Sequence, residues 1–176
     1  MKNAKRLSRK IIHQSDWVNL FVDRVEYPAG RIAESHYCID MPRKGVGAIV
    51  LNKEKQILLI RSYRYIVDSI DWEIPAGSFK DEEVCGAAER EVLEETGYQS
   101  FEHKIIYHYY PLTGMSNSEF YIVQCRALKK VQDFDRNEVF EIAWFSRDDV
   151  QKMLKQNEVK DGFSLQALSF YLMGDL

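Results

Sequence analysis

An α/β (α+β) fold built on a mixed sheet is predicted by three features of the sequence. Apolar, β-rich runs flank one strong central helix, two more helices close the chain, and 176 residues suffice for one domain with a substantial core. Apolar residues make up 45% and charged residues 29%, an ordinary globular balance. Taken in order, Val18 to Val25 alternates in part, Tyr27-Pro28-Ala29-Gly30 reads as a turn, and a second strand ends near Met41. These make an N-terminal antiparallel hairpin, and Pro42 to Gly45 is a break. Residues 1–42 are accordingly read as an extension and 43–176 as the main domain. Gly47–Leu51 and Gln56–Ile60 are strands about the polar turn Asn52-Lys53-Glu54-Lys55, and Ile70–Ile74 leads into Pro75-Ala76-Gly77. The central helix spans about Glu82 to Thr96, with Asp81 as N-cap and Gly97 as its stop. Strands follow near Lys104–Tyr110, Phe120–Ala127 and Val139–Phe145. Helices are expected over Arg147–Lys155, with Ser146 as cap and Asp148 and Asp149 in the first turn, and over Ser164–Met173.

Composition excludes several classes. No apolar run approaches the ~18–20 residues of a membrane span, and the basic start, Met1 to Gln14, has no signal-peptide core. A cytoplasmic protein is expected. Cys38, Cys85 and Cys125 are far apart and form no CxxC pair, so they read as small, mostly buried side chains. A formal net charge of −3 gives no reason to expect nucleic-acid binding. Lys2, Lys5, Arg6, Arg9 and Lys10 read as a solvated, partly frayed tail.

The central helix departs from ordinary amphipathicity. Val84, Ala87 and Ala88 form an apolar stripe that, extended by helical spacing, lands on Glu91 and Glu95, with Glu94 beside them. Carboxylates near a helix C-terminus oppose the macrodipole by about 0.3–1 kcal/mol each. The like-charged Glu91/Glu95 pair at i,i+4 loses about 0.2–0.5 kcal/mol more. Two readings are open: a solvent-facing acidic helix eased by Arg90 and nearby lysines, or a face that holds a divalent cation. The shared line with Val84 and Ala88 favours the cation. Magnesium fits, since it takes one or two carboxylates, waters and substrate phosphate oxygens.

Gly77-Ser-Phe-Lys-Asp-Glu82, seven further residues, and Arg90-Glu91-Val92-Leu93-Glu94-Glu95-Thr96-Gly97-Tyr98 closely resemble the Nudix box, Gly-x5-Glu-x7-Arg-Glu-U-x-Glu-Glu-x-Gly-U with U apolar. The second half matches at every specified position. The first half is one residue short between Gly77 and Glu82, and Glu82 is preferred over Glu83 because the helical spacing to Arg90 is rigid. Ser62-Tyr63-Arg64, Trp72-Glu73-Ile74-Pro75-Ala76-Gly77, Asn137-Glu138-Val139-Phe140-Glu141-Ile142 and Phe163 to Leu172 resemble segments of the ADP-ribose pyrophosphatase and nucleoside diphosphate sugar hydrolase branch.

The resemblance implies a Nudix-type α/β/α sandwich plus the N-terminal hairpin, a homodimer, and magnesium-dependent cleavage of a nucleoside diphosphate sugar, with manganese as a substitute metal. It implies that Glu91 and Glu95, helped by Glu94 and the Ala76 carbonyl, hold metal. Arg90 would brace the helix against a carboxylate such as Glu82, Arg64 would meet the substrate's phosphates or terminal sugar, and Glu73 is a further substrate-side candidate. Glu138 is the candidate general base. Its partner acid two residues earlier is Arg136 here, so Glu138 as metal ligand, a base within the helix, and Glu119 stay open. Tyr110 to Glu119 resembles the branch's substrate loop, which makes Thr113, Gly114, Ser116 and Glu119 substrate candidates. Thr113 stands where ADP-ribose-preferring members carry proline. Trp17, Phe21 and Tyr27 are open to base stacking or plain packing. Hydrolysis of another nucleotide (a triphosphate, a dinucleoside polyphosphate or a capped RNA end) and a non-catalytic sensing module are the competing functions.

Overall fold

A computed structural model of the chain describes residues 3–174. Its contacts divide into two compact units, residues 1–44 with 110–119, and residues 45–109 with 120–176.

The first unit is a three-stranded antiparallel sheet of β1 (Lys5–His13), β2 (Asn19–Glu26) and β3 (Ile32–Asp40), in that order. The two expected strands are β2 and β3. β1 corrects the frayed tail: its basic residues lie in a strand paired to β2, with Arg9 held bidentately by Asp23 at 2.8 Å. The strand is exposed along its whole length, so its composition reads as a tail while its backbone is satisfied by pairing. Lys2 lies outside the described residues. The 110–119 segment joins this unit through Asn117, whose amide donates to Asp40 at 2.6 Å and accepts from the Met41 N–H at 2.7 Å.

The second unit carries a mixed sheet of order β10-β5-β4-β9-β8, with β6 beside β5 and β7 beside β4. Its strands are β4 (Lys44–Leu51), β5 (Ile57–Arg64), β6 (Ser69–Glu73), β7 (Ala76–Phe79), β8 (Tyr98–Tyr109), β9 (Phe120–Lys130) and β10 (Val139–Phe145). The pairing of β4 with β9 is parallel; β10, β6 and β8 pair antiparallel. The helices are α1 (Val84–Thr96), α2 (Arg147–Lys155) and α3 (Gly162–Met173). Strand alternation sorts the core. Val46, Ala48 and Val50 of β4 face Ala87, Ala88 and Val92 of α1, while Ile49 and Leu51 face Val150 and Met153 of α2 and Ala167 and Leu168 of α3. The result is the expected α/β/α sandwich with a mixed sheet. No helix among the described residues is long and apolar enough to cross a membrane.

Several boundaries differ from expectation: β4 begins at Lys44, inside the expected break, β8 already at Tyr98, and α3 at Gly162, and two further differences bear on the site. β7 occupies residues read as a loop, because Pro75 cannot donate but its carbonyl accepts the Ala48 N–H at 2.9 Å and brings the next residues alongside β4. Helix α1 is capped by Glu83 rather than Asp81, without a side-chain cap bond; the Glu83 carbonyl takes the first helical N–H, from Ala87. Gly97 ends α1 at φ 74°, and a Cβ there would meet the Gln132 carbonyl oxygen at 2.1 Å, so glycine is required twice over. Cys125 is buried, whereas Cys38 and Cys85 are half-buried.

Gly47 lets the α2/α3 side of the core close. A Cβ there would lie 2.5 Å from Ile74 Cδ1 and 3.1 Å from Phe120 Cζ. Gly47→Ala is expected to destabilise the protein by about 1–3 kcal/mol through overpacking. Urea denaturation with an unchanged midpoint would contradict this.

Candidate active site

Helix α1 places its acidic residues as the stripe argument requires. Ala87, Ala88, Glu91, Val92 and Glu95 are the buried line, while Leu93 is half-buried and Glu94 exposed. Two carboxylates thus occupy positions that an ordinary helix gives to leucine, and the solvent-facing reading of Glu91 and Glu95 is excluded.

Arg90 holds the cluster. Its guanidinium donates to Glu82 through Nε and Nη2 at 3.3 Å each, and to Glu94 through Nη1 at 3.0 Å; Nη1 also lies 2.8 Å from Glu91. It reaches the Ser78 carbonyl at 3.4 Å as well, which ties the shortened box loop to the helix. Glu82 therefore stands against Arg90 despite the missing loop residue. Burial opposes the charge on Arg90, but Glu82 and Glu91 outweigh it and hold its pKa above the ordinary value.

Glu91 lies directly on the Gly77 backbone: a Cβ on Gly77 would fall 2.0 Å from its Oε1. Burial raises the Glu91 pKa against the pull of Arg90. Glu95, 5% exposed, accepts the Ala76 N–H at 2.7 Å. Burial pushes its carboxyl up to about 8, the Ala76 bond pulls it down, and the charge of Glu91 raises it further. Four carboxylates (Glu82, Glu91, Glu94, Glu95) against one guanidinium leave an excess of three negative charges when all are ionised. Among the described residues, no three His, Cys, Asp or Glu side chains converge tightly enough to enclose a metal ion. The donor set instead fits a hard cation that keeps water and phosphate oxygens as most of its ligands and takes only one or two carboxylates from the protein.

Arg64 ends β5 and forms an ion pair with Glu73 of β6, with Nε at 3.0 and 3.1 Å from the two carboxylate oxygens and Nη2 in a still closer contact. Glu73 is buried and Arg64 exposed, so the pair fixes a guanidinium with its remaining donors towards solvent. Hydrogen bonding to Glu73 raises the Arg64 pKa; burial pushes Glu73 up against that pull. Arg64 also feels the charge of Glu95, which joins this pair electrostatically to the box helix.

Glu138 is exposed, in the turn just before β10, and its charge is felt at both Glu91 and Glu95. Its loop is anchored to α1 by the Asp135 N–H, which donates to the Glu94 carbonyl at 3.0 Å. Arg136 stacks near Phe134.

Thr113, Gly114, Ser116 and Glu119 belong to the first unit. There Ser116 forms a bridge to Ile39 and its hydroxyl accepts the Ser118 N–H at 3.0 Å, Gly114 has open space at its Cα, and Glu119 pairs with Lys44 at 3.1 Å. In the same unit Arg43 stacks on Trp17, Arg9 on buried Phe21 and Arg31 on Tyr27, each at about 4 Å.

Sequence reasoning does not single out Asp161 or Tyr109. Asp161 caps α3, accepting from Ser164 N–H, and its charge is felt by Arg64, Glu73 and Tyr109. The Asp161-x-x-Ser164 spacing was a usable cap signal; nothing in the sequence marks Tyr109.

Comparison with known proteins follows the same lines. The family model of the NUDIX domain matches residues 41–166. A CMP-5'-(N-acetyl-N-hydroxy-3-aminopropyl)phosphonate hydrolase of Streptomyces rubellomurinus is 28% identical over 94% of this chain and 81% of its own. An ADP-ribose pyrophosphatase of Bacillus subtilis is 25% identical over 94% and 91%. A methanol dehydrogenase activator of Bacillus methanolicus is 24% identical over the same shares. A crystal structure of an ADP compounds hydrolase superposes with a TM-score of 0.85 at 17% identity, over 97% of this chain and 93% of that one, which speaks to the fold.

Proposed function

The chain belongs to the Nudix family as a pyrophosphohydrolase, and from that premise we propose that it hydrolyses the diphosphate linkage of a nucleoside diphosphate sugar, served by magnesium. The observation that carries the reading is the buried Glu91/Glu95 pair, seated on Gly77 and Ala76, with Glu95 within electrostatic reach of Arg64. Carboxylates for a cation and a guanidinium for phosphate oxygens are what a diphosphate needs on its two sides.

In this reading Glu91 and Glu95 hold the cation, with Glu94 and the Ala76 carbonyl in support. When bound, the cation supplies neutralisation of phosphoryl oxygens and a lowered pKa for water; manganese can replace magnesium. Arg90 keeps Glu82, Glu91 and Glu94 in register, and Arg64, oriented by Glu73, binds phosphate oxygens. Glu138 takes the proton of the attacking water. An oxygen–phosphorus bond forms, the bridging phosphorus–oxygen bond breaks, and a nucleoside monophosphate and a sugar phosphate leave. Thr113, Gly114, Ser116 and Glu119 serve as substrate-loop residues. The exposed Leu7, Ile11 and Ile12 of β1 and Tyr37 of β3 support a homodimer, and the working compartment is the cytoplasm.

A second reading has its own support. The Streptomyces relative is named for a CMP-linked phosphonate, and Thr113 stands where ADP-ribose-preferring enzymes carry proline, so a nucleoside monophosphate joined to a phosphonate is the alternative substrate.

The test is turnover of ADP-ribose, ADP-glucose, GDP-mannose, UDP-sugars and a CMP-phosphonate, each with magnesium or manganese and with product analysis. Release of a nucleoside monophosphate and a sugar phosphate is expected, with the metal-free enzyme inactive. Exclusive turnover of the CMP-phosphonate, or of triphosphates, would overturn the sugar assignment.

A further inference from the structure

Two residues, Ile74 and Pro75, separate β6 from β7. Pro75 has no N–H, so the crossing has amide donors only on either side of it. Both are taken by helical side chains. The Ile74 N–H donates to the Ser164 hydroxyl of α3 at 3.1 Å, and the Ala76 N–H to the Glu95 carboxylate of α1 at 2.7 Å. Between them the Pro75 carbonyl accepts the Ala48 N–H of β4 at 2.9 Å. Helices α1 and α3 lie on opposite faces of the sheet, so the crossing is clamped from both.

Ser164 is 1% exposed, and Ile74 is fully buried. The Ser164 hydroxyl gives its own hydrogen to Asp161 Oδ2 at 2.7 Å, which leaves its lone pairs for Ile74. Asp161 also takes the Ser164 N–H at 2.8 Å, and that bond alone completes the cap of α3. The hydroxyl therefore adds something the helix does not need: a link from α3 to the strand crossing. The five residues from Glu73 to Gly77 carry what the site depends on. Glu73 orients Arg64, Ala76 holds Glu95, and Gly77 seats Glu91.

We propose that Ser164 is a positioning residue for diphosphate hydrolysis: its hydroxyl fixes the Glu73 to Gly77 segment, and with it the alignment of Arg64 against the Glu91/Glu95 pair. The assignment rests on the reading above of those groups as holders of phosphate and cation. Without the hydroxyl, the Ile74 N–H is left buried and unpaired, a costly state that the segment relieves by shifting towards another acceptor. The shift reaches Ala76, two residues on, and through it Glu95.

The experiment compares the wild type, Ser164→Ala and Met153→Ala, a core truncation on α2 that controls for lost stability, with a thermal melt of each. In the metal-free proteins, the Ile74 and Ala76 amides are followed by nuclear magnetic resonance and hydrogen exchange. Both are expected to be protected in the wild type, and the Ala76 resonance to move in Ser164→Ala but not in Met153→Ala. Manganese alone, titrated by electron paramagnetic resonance, should bind Ser164→Ala about 5-fold more weakly, the equivalent of one ordinary hydrogen bond, and Met153→Ala unchanged. On any nucleotide substrate that is turned over, kcat should fall about 10-fold in Ser164→Ala alone, short of the ~10²-fold that a 1 Å misplacement costs. A wild-type Ile74 amide that exchanges freely would overturn the proposal without any variant. So would a Ser164→Ala protein that keeps the Ala76 resonance, or one that loses no more manganese affinity than Met153→Ala. The functional reading is judged separately. A wild type that ignores nucleotide sugars loses that reading, while exchange and manganese binding still decide on Ser164; nucleotide sugar turnover at the wild-type rate by Ser164→Ala keeps the reading and overturns the positioning role.

Discussion

Glu95→Gln is expected to lower kcat/KM by about 10²–10⁴-fold while making the metal-free protein harder to melt. The two effects have one cause. Glu95 is 5% exposed, and burial lifts its carboxyl from an ordinary 4.5 to about 8. A raised carboxyl favours the protonated form in the folded state. Its stability contribution is therefore complete below about pH 4.5 and is lost as pH rises through about 8. The metal-free wild type should lose melting temperature across that window, whereas glutamine carries no charge to desolvate and can still accept the Ala76 N–H. At the upper end the variant should gain on the order of a few kcal/mol, at ~1.36 kcal/mol per pKa unit. Magnesium should stabilise the wild type most at high pH and the variant little at any pH. Calorimetric scans with and without magnesium check this. A variant that melts below the metal-free wild type at about pH 8 would count against a buried, destabilising carboxylate.

Gly77→Ala should be nearly as damaging to activity with little change in fold. The added methyl would occupy space taken by the Glu91 carboxylate, at 2.0 to 2.3 Å from its atoms. Glu91 is the mobile end of a long side chain and can swing away, so the protein folds and the carboxylate is misplaced. A displacement of about 1 Å at such a site costs about 10²-fold in rate. The measurement is kcat/KM alongside far-ultraviolet circular dichroism and a melt. Wild-type activity would show that Glu91 does not need its seat on Gly77.

These predictions start from residues that were legible in the sequence, for physical reasons that differ by element. Helix α2 reads correctly to the residue, because Ser146 accepts the Asp149 N–H and the acids sit in the first turn, all local interactions. The stripe on α1 reads correctly because helical geometry is rigid: Glu91 and Glu95 had to share a face with Ala87 and Ala88. β1 was hidden because an exposed, basic strand has the composition of a tail, and its identity depends on a partner, β2. β7 was hidden because Ala76–Phe79 becomes a strand only beside β4. In the site, Arg90 with Glu82, and Arg64 and Glu73 singly, were implied by the family resemblance of their motifs, whereas the pairing of Arg64 with Glu73 emerges only when β5 and β6 lie side by side. Ser164, whose hydroxyl accepts the Ile74 N–H, and the strand of Glu73 lie far apart in sequence, so no local pattern announces their meeting.

The Asp135 amide resting on the Glu94 carbonyl has a consequence for motion. It ties the loop of Glu138 to the last turn of α1, so the proton acceptor and metal seat of the proposed mechanism would travel as one piece if the site breathes to admit a ligand. Because the tie is main chain to main chain, alanine scanning of that loop would pass over it, and side-chain drift there leaves the alignment untouched.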